Sequence, residues 1–239
     1  MEHDIQWRVT GSYMAFNVLK PSFLHETRQF LLSYAATGSF THTAQELLNE
    51  TLLQRSRETR KLVVKVIQRR LTSWNPPAWV SSDLIEFAQD TFNPSLQTAL
   101  LLHVVRQDAL LYDVVQTAIV PRWLAGDHIL IRADVQRFLD LAAPDHPEVE
   151  TWSHTTREKL AGNVLSILRD YTLLRGKEKK QIVEPIVPAP VATHLVRLLR
   201  AEGVADDAIP DHPDWRIWLW DAQRARDALR RLAAQEASR

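Results

Sequence analysis

The chain has no cysteine and only six glycines among its 239 residues. Without cysteine it forms no disulfide and offers no thiolate ligand to a metal, which fits a reducing compartment. The patterns G-x-x-x-x-G-K-[ST], G-x-G-x-x-G and G-x-S-x-G do not occur. With only six glycines, a glycine-rich loop that binds phosphate is not expected. The sequence therefore carries none of the common nucleotide-binding or hydrolase signatures.

Long apolar runs and a leader pattern are also missing. A helical membrane span needs roughly 20 apolar residues, and the nearest window, 96–111, is interrupted by His103, Arg106, Gln107 and Asp108. The first residues, MEHDIQWRV, lack a basic stretch followed by an apolar one, so we expect no signal peptide. We expect a cytoplasmic protein with no membrane partner.

What the chain does contain favours helices. Hydrophobic residues make up 45% of it, enough for a sizeable core, and 29 basic residues balance 29 acidic ones. Few glycines with abundant leucine, alanine and arginine predict an all-α, multi-helix globular fold. Prolines 185, 188 and 190 restrict any sheet to a small β-hairpin near 174–188. Pro144 and Pro147 mark a predicted boundary between helical lobes 1–143 and 144–239.

A basic amphipathic helix at 56–71 is the strongest local signal. At about 100° per residue, one side carries the apolar residues Leu62, Val63, Val66, Ile67 and Leu71. The other side carries a basic stripe with a spacing of four, namely Arg57, Lys61, Lys65 and Arg69. Like charges at this spacing repel, so an anionic partner would stabilise the helix: nucleic acid, an acidic protein surface or lipid headgroups. An ordinary solvated face is the alternative, although such faces usually mix charges of both signs.

The pattern S-x-x-T-R occurs twice, at 56–60 and at 153–157, each time at the start of an amphipathic helix. Such a helix start suits phosphate contact, and helix-turn-helix proteins present this end of their second helix to the major groove. The alternative is that S-x-x-T is simply an N-capping sequence. The glycine that a helix-turn-helix often carries in its turn is missing from both copies. The helix that begins with the second copy is followed by a basic loop at 175–180. A winged helix places its wing in this position; a mobile charged loop is the other interpretation.

No set of residues points to catalysis or to a metal. His42 and Glu46 have a metal-compatible spacing but lack a third ligand nearby, and the acidic segment 206–214 lacks the order of a calcium loop. The eight tryptophans fit packing better than base stacking. We expect no enzyme, no cofactor and no metal, although a nuclease with irregular motifs stays open.

Two stretches resemble the BrxA family of bacteriophage-exclusion (BREX) defence systems. They are LLNETLLQRSRETRKLVVKVIQRRL followed by WNPPAW, and TTREKLAGNVLSILRDYTLL followed by a basic stretch and prolines. Members of this family are small proteins encoded beside a DNA methyltransferase and large ATPase components. They have been likened to NusB, an all-helical RNA-binding antitermination factor. The resemblance implies an accessory, non-catalytic, nucleic-acid-binding role in phage defence, with those components as partners.

The hypothesis from the sequence is a monomer with two helix-turn-helix-like units that binds double-stranded DNA, mainly through phosphates. The first predicted contact set comprises Arg55, Arg57, Arg60, Lys61, Lys65 and Arg69. The second comprises Thr155, Thr156, Arg157, Lys159, Lys177, Lys179 and Lys180. No cluster of Asn, Gln or Arg residues indicates direct recognition of base edges. We therefore expect only a weak preference for particular DNA sequences. Structured RNA, and a protein scaffold that binds no nucleic acid, are the two alternatives.

Overall fold

The computed structural model describes residues 7–15, 21–52, 56–90 and 94–237. Helices dominate these residues, which confirms the predicted all-α class. In chain order they are α1 (Leu24–Thr37), α2 (Phe40–Glu46), α3 (Arg57–Leu71), α4 (Ala78–Gln89), α5 (Ser95–Arg106), α6 (Ala109–Asp113), α7 (Val120–Leu124), α8 (Arg132–Ala142), α9 (His154–Asp170), α10 (Ala189–Ala201) and α11 (Ala222–Ala237).

Shorter helical turns connect or extend several of these helices. A π-helical stretch, Leu47–Thr51, extends α2, and another, Val114–Ile119, joins α6 to α7, so residues 109–124 form one continuous helical segment. Short 3-10 helices lie at Pro147–Val149, Ile209–Asp211 and Pro213–Trp218.

Helix α5 is the centre of the core. Every residue of it except Gln97 is buried, as expected for a helix that packs on all sides. Helices α3, α4 and α10 and the turn 213–218 all pack against it. In that turn the rings of Trp215 and Trp218 are fully buried and meet edge to face at 5.9 Å. These two tryptophans therefore serve packing, because neither ring is accessible to a nucleic-acid base.

A buried ion-pair cluster connects α5 with the C-terminal part of the chain. The Arg106 guanidinium pairs with the carboxylates of Asp214 and Glu202. Tyr112 Oη donates to Asp214 Oδ1 at 3.0 Å, and the Trp7 backbone N–H donates to Glu202 Oε1 at 3.0 Å. A charge buried this deeply is tolerated only when paired, so the cluster fixes how these segments meet.

A chain of buried side chains links α4, α5 and α10. His103 Nε2 lies 2.9 Å from His194 Nε2, and His194 Nδ1 lies 2.7 Å from Asp83 Oδ2. Burial holds the pKa of His103 well below its ordinary value and also lowers the pKa of His194. Both rings are therefore neutral at pH 7, with one nitrogen donating and the other accepting in their mutual hydrogen bond.

A three-stranded antiparallel sheet accompanies α8 and α9. Strands β2 (Leu174–Arg175) and β3 (Lys180–Ile182) form a hairpin within the range 174–188 where the sequence allows one, and β1 (Ile129–Leu130) pairs with the other side of β3. The strand order is β1-β3-β2, and α8 packs against α9. The predicted lobe boundary at 143–144 stays a prediction; the pairing of β1 with β3 connects elements on both sides of it.

Candidate nucleic-acid interface

The repeated S-x-x-T-R pattern forms the same local structure in both places. Ser56 Oγ accepts from the backbone N–H of Thr59 at 3.1 Å, and Ser153 Oγ accepts from that of Thr156 at 3.2 Å. In each pair the two side-chain hydroxyls also meet, at 2.8 and 2.9 Å respectively. The N-capping interpretation of this pattern is therefore confirmed, because each serine satisfies a free helix-end N–H.

The arginine of each copy holds the chain segment that precedes its helix. Arg60 Nε donates to the Leu48 carbonyl at 2.7 Å. Arg157 Nε donates to the Trp152 carbonyl at 3.2 Å, and its Nη1 lies 3.2 Å from the Asp140 carboxylate. Both guanidinium groups are thus engaged with the protein itself, which leaves them less available to a phosphate than the sequence suggests.

Helix α3 has the predicted apolar side, with Val63, Val66, Ile67 and Leu71 buried and Leu62 half-buried. Its exposed basic residues form the surface called here the α3 surface, namely Arg57, Lys61 and Lys65. The Lys61 ammonium lies 2.7 Å from the Glu58 carboxylate, which neutralises part of that charge. Arg69 is half-buried, with Nη2 3.0 Å from Met14 Sδ. Arg55, also predicted as a contact, lies outside the described residues.

A second set of predicted residues lies on α9 and the β2–β3 turn. Its exposed members are Thr155, Lys159, Lys177 and Lys179. Arg175, an exposed cation of β2 outside the predicted set, lies beside them, and the five residues together are called here the wing surface. Thr156 and Arg157 are half-buried. Within the described ranges, no carboxylate lies within 4.0 Å of the four cations of the wing surface. The nearby carboxylates of Glu158 and Glu178 lower the positive electrostatic potential. The wing surface nevertheless has more unpaired positive charge than the α3 surface.

Lys180 does not lie on that surface with its neighbours. Its side chain is only 4% exposed, and its ammonium turns back to donate to the carbonyls of Gly176 and Lys177. The alternation of a strand is the reason, because Lys180 begins β3 and points to the core side. We correct the sequence-based set accordingly: Lys180 holds the turn closed, and Lys177 and Lys179 are its exposed cations.

Arg132 is a cation of this region that the sequence analysis did not identify. It is the first residue of α8, it is exposed, and it lies against Gly162 of α9. A single arginine after a two-residue strand belongs to no periodic pattern. Only the packing of α8 against α9 brings it to the β2–β3 turn.

Ser22 joins the C-terminal ends of α3 and α9. Its carbonyl oxygen accepts hydrogen bonds from Arg70 Nη1 and from Tyr171 Oη, each at 2.7 Å. Its hydroxyl donates to the Asp170 carboxylate at 2.8 Å. Ser22, Arg70 and Tyr171 are buried. The two basic helices are therefore held in one fixed arrangement by buried hydrogen bonds.

Two further features bear on what this region can do. Among the residues that the structure describes, no three His, Asp or Glu side chains are grouped to hold a metal ion. In the same residues no helix is both long and apolar enough to cross a bilayer. The wing surface itself offers ammonium and guanidinium donors, which suit phosphate oxygens.

Comparison with known proteins supports this fold and assigns a family. The crystal structure of an uncharacterized protein from Magnetospirillum magneticum matches with a TM-score of 0.67 and 17% identity, over 88% of this chain and 100% of that chain. At that identity the likeness shows the fold alone. No curated protein matches the chain in sequence. The BrxA family model matches residues 13–198, well over half of the chain and both stretches that suggested the family. The chain therefore belongs to the BrxA family of BREX phage-defence proteins.

Proposed function

We propose that this BREX protein binds double-stranded DNA, chiefly through backbone phosphates, and that it catalyses no reaction. The wing surface makes the principal contact, and the α3 surface adds to it. Other BREX components, such as the methyltransferase and ATPase proteins, are its proposed protein partners. The observation that carries the DNA proposal is the order of elements between 109 and 182.

That order runs helix (109–124), β1, α8, α9, β2 and β3, with β3 in the middle of the sheet. A winged helix has this order, with its recognition helix in the place of α9 and its wing in the place of the β2–β3 turn. Helix-turn-helix proteins insert the recognition helix into the major groove. The connection from α8 to α9, residues 143–153, is longer than the usual turn of about three or four residues. We propose the pair as a variant of that motif with an extended connection.

The charge distribution supports the same proposal. The formal net charge of the chain is zero, so affinity for a polyanion must come from a local patch. The wing surface is such a patch because its four cations lack acidic partners among the described residues. Phosphate contacts fix position without reading sequence, and we accordingly propose weak sequence preference.

The test is binding of a labelled duplex of about 25 base pairs, followed by fluorescence anisotropy at several salt concentrations. The informative variant combines Lys177→Glu with Lys179→Glu. A charge-assisted hydrogen bond contributes about 1.5–3 kcal/mol, so we expect at least about a tenfold loss of affinity. The companion variant, Arg57→Glu with Lys61→Glu, is expected to lose less, because Lys61 already pairs with Glu58.

The control combines Arg216→Glu with Arg231→Glu, two exposed cations outside the proposed surfaces. It makes the same change in net charge, and we expect it to bind almost as the wild type does. Equal losses in the control and the wing variant would mean that only net charge matters, which contradicts a localised surface. Preferential competition by RNA of equal length would favour the RNA alternative. Absence of duplex binding at physiological salt would favour the protein scaffold.

A further inference from the structure

Gly162 lies in the interior of α9, where glycine costs about 1 kcal/mol of helix stability relative to alanine. Its backbone conformation is that of an ordinary helix, so no turn requires a glycine at this position. Arg132 lies over this position, and a side chain longer than that of alanine would meet its guanidinium group. A Cβ at Gly162 would lie 3.4 Å from Arg132 Nη2, 3.5 Å from Nε and 3.6 Å from Cζ. Such nearly equal distances mean that the guanidinium group lies flat across α9 at this residue.

Arg132 faces a cleft of about 540 Å³ between the start of α8, the middle of α9 and the β2–β3 turn. Ser166, Lys177 and Lys179 line the same cleft, and Glu178 is the one acid that lines it. No carboxylate of the described residues lies within 4.0 Å of Arg132. Three cations from two elements, α8 and the β2–β3 turn, thus line one space with a single acid, Glu178, and none of them forms an ion pair among the described residues. An anion would stabilise this arrangement.

The chemistry of the cleft specifies the anion further. A guanidinium group presents a rigid planar fork that matches two oxygens of a phosphate, and the flexible ammonium groups of two lysines add point charges. The opening is a cleft on the surface, which an extended polymer backbone can cross. It also adjoins the wing surface, where the duplex is proposed to bind.

We propose that this cleft seats a backbone phosphodiester of one DNA strand, with Arg132 as its bidentate donor and Gly162 as the residue that positions Arg132. The strand then passes between α9 and the β2–β3 turn. This inference rests on the proposed function and deepens it, because it names the phosphate subsite and a contact residue on α8. Lys177 and Lys179 flank the seated phosphate.

The test uses the full chain and the same labelled duplex, with the variants Arg132→Gln and Gly162→Leu. Arg132→Gln removes the charge, so we expect at least a tenfold weaker affinity and a slope of log K against log salt that is about one unit shallower. Gly162→Leu occupies the place of the guanidinium group and is expected to weaken binding in the same way. Gly162→Ala adds only a Cβ in ordinary contact, so its effect should be smaller than that of Gly162→Leu.

The matched control is Arg137→Gln, which removes the same charge from an exposed residue of the same helix. It should change affinity less than twofold and leave the salt slope as it is. Circular dichroism and thermal unfolding establish that each variant is folded. If Arg132 only packs against α9, then Arg132→Gln lowers the melting temperature and leaves the salt slope unchanged, and the inference is wrong.

Other results separate this inference from the proposed function. If the wild type and Arg132→Gln bind the duplex equally while the Lys177/Lys179 variant does not, the subsite is refuted and DNA binding stands. If the wild type binds no duplex, both proposals fall. If inorganic phosphate binds the wild type equally well with and without saturating duplex, the cleft takes a free anion that the duplex does not displace, and the phosphodiester assignment is overturned.

Discussion

Asp214→Asn tests the account of the core more sharply than any other single substitution. The Asp214 side chain is 0% exposed and that of its partner Arg106 is 3% exposed. Removing one partner of a buried ion pair costs about 3–5 kcal/mol, because the other charge stays buried without compensation. Glu202 remains paired with Arg106 in this variant, so we expect the lower end, about 3 kcal/mol.

The loss is measured by urea unfolding and by calorimetry. In a protein of this length each 1 kcal/mol lowers the melting temperature by about 2–4 °C, so the expected drop is about 6–12 °C. Salt should hardly change it, because buried pairs are screened far less than exposed ones. The control is Asp207→Asn, the same chemical change at an exposed residue, for which we expect less than about 0.5 kcal/mol.

A second variant tests whether the loss of stability comes from the charge that stays buried without a partner. Arg106→Met combined with Asp214→Leu and Glu202→Gln removes all three charges of the buried cluster and should recover part of the stability lost in Asp214→Asn. The reasoning is refuted if Asp214→Asn unfolds with nearly the free energy of the wild type, or if high salt abolishes the difference between the two.

Three further predictions concern stability. Burial holds the pKa values of His103 and His194 below 6.5. As the pH falls below that value, the unfolded chain therefore binds more protons than the folded chain. The free energy of unfolding in urea should decrease from about pH 7 to pH 5, and this decrease should be less steep in His103→Gln. Ser153→Ala removes the N-cap of α9 and should cost about 1 kcal/mol in the same assay; no change would contradict the capping role. Gly176 has φ +104°, and a Cβ there would lie 2.5 Å from the Lys179 carbonyl oxygen; Gly176→Ala should therefore speed amide hydrogen exchange in the β2–β3 turn, and unchanged exchange would contradict the strain.

Periodic features of the sequence predicted local structure correctly. The apolar side of α3 follows from the spacing of Val63, Val66 and Ile67, because a helix repeats every 3.6 residues. The prolines allow at most a small hairpin near 174–188, and the hairpin that forms there has strands of two and three residues. Strand β1 was not predicted, because two residues are too few to show an alternating pattern.

The candidate site was only partly predictable, because side-chain direction depends on tertiary structure. The sequence offers Lys179 and Lys180 as equivalent neighbours, yet the pairing of β3 turns Lys180 inward and leaves Lys179 exposed. Arg60 looks like a surface cation, but the π-helical end of α2 places the Leu48 carbonyl within reach of its Nε. Arg132 contributes only because α8 packs against the glycine of α9. None of these relations is local in sequence.

The salt dependence of duplex binding by the wild-type protein tests the central claim most directly. If the wing and α3 surfaces together neutralise about six phosphates, log K should fall linearly with log salt at a slope near −5. That slope, measured by anisotropy at low protein concentration, is what the account predicts. Binding that is independent of salt, or no binding even at low salt, would contradict DNA recognition through phosphates.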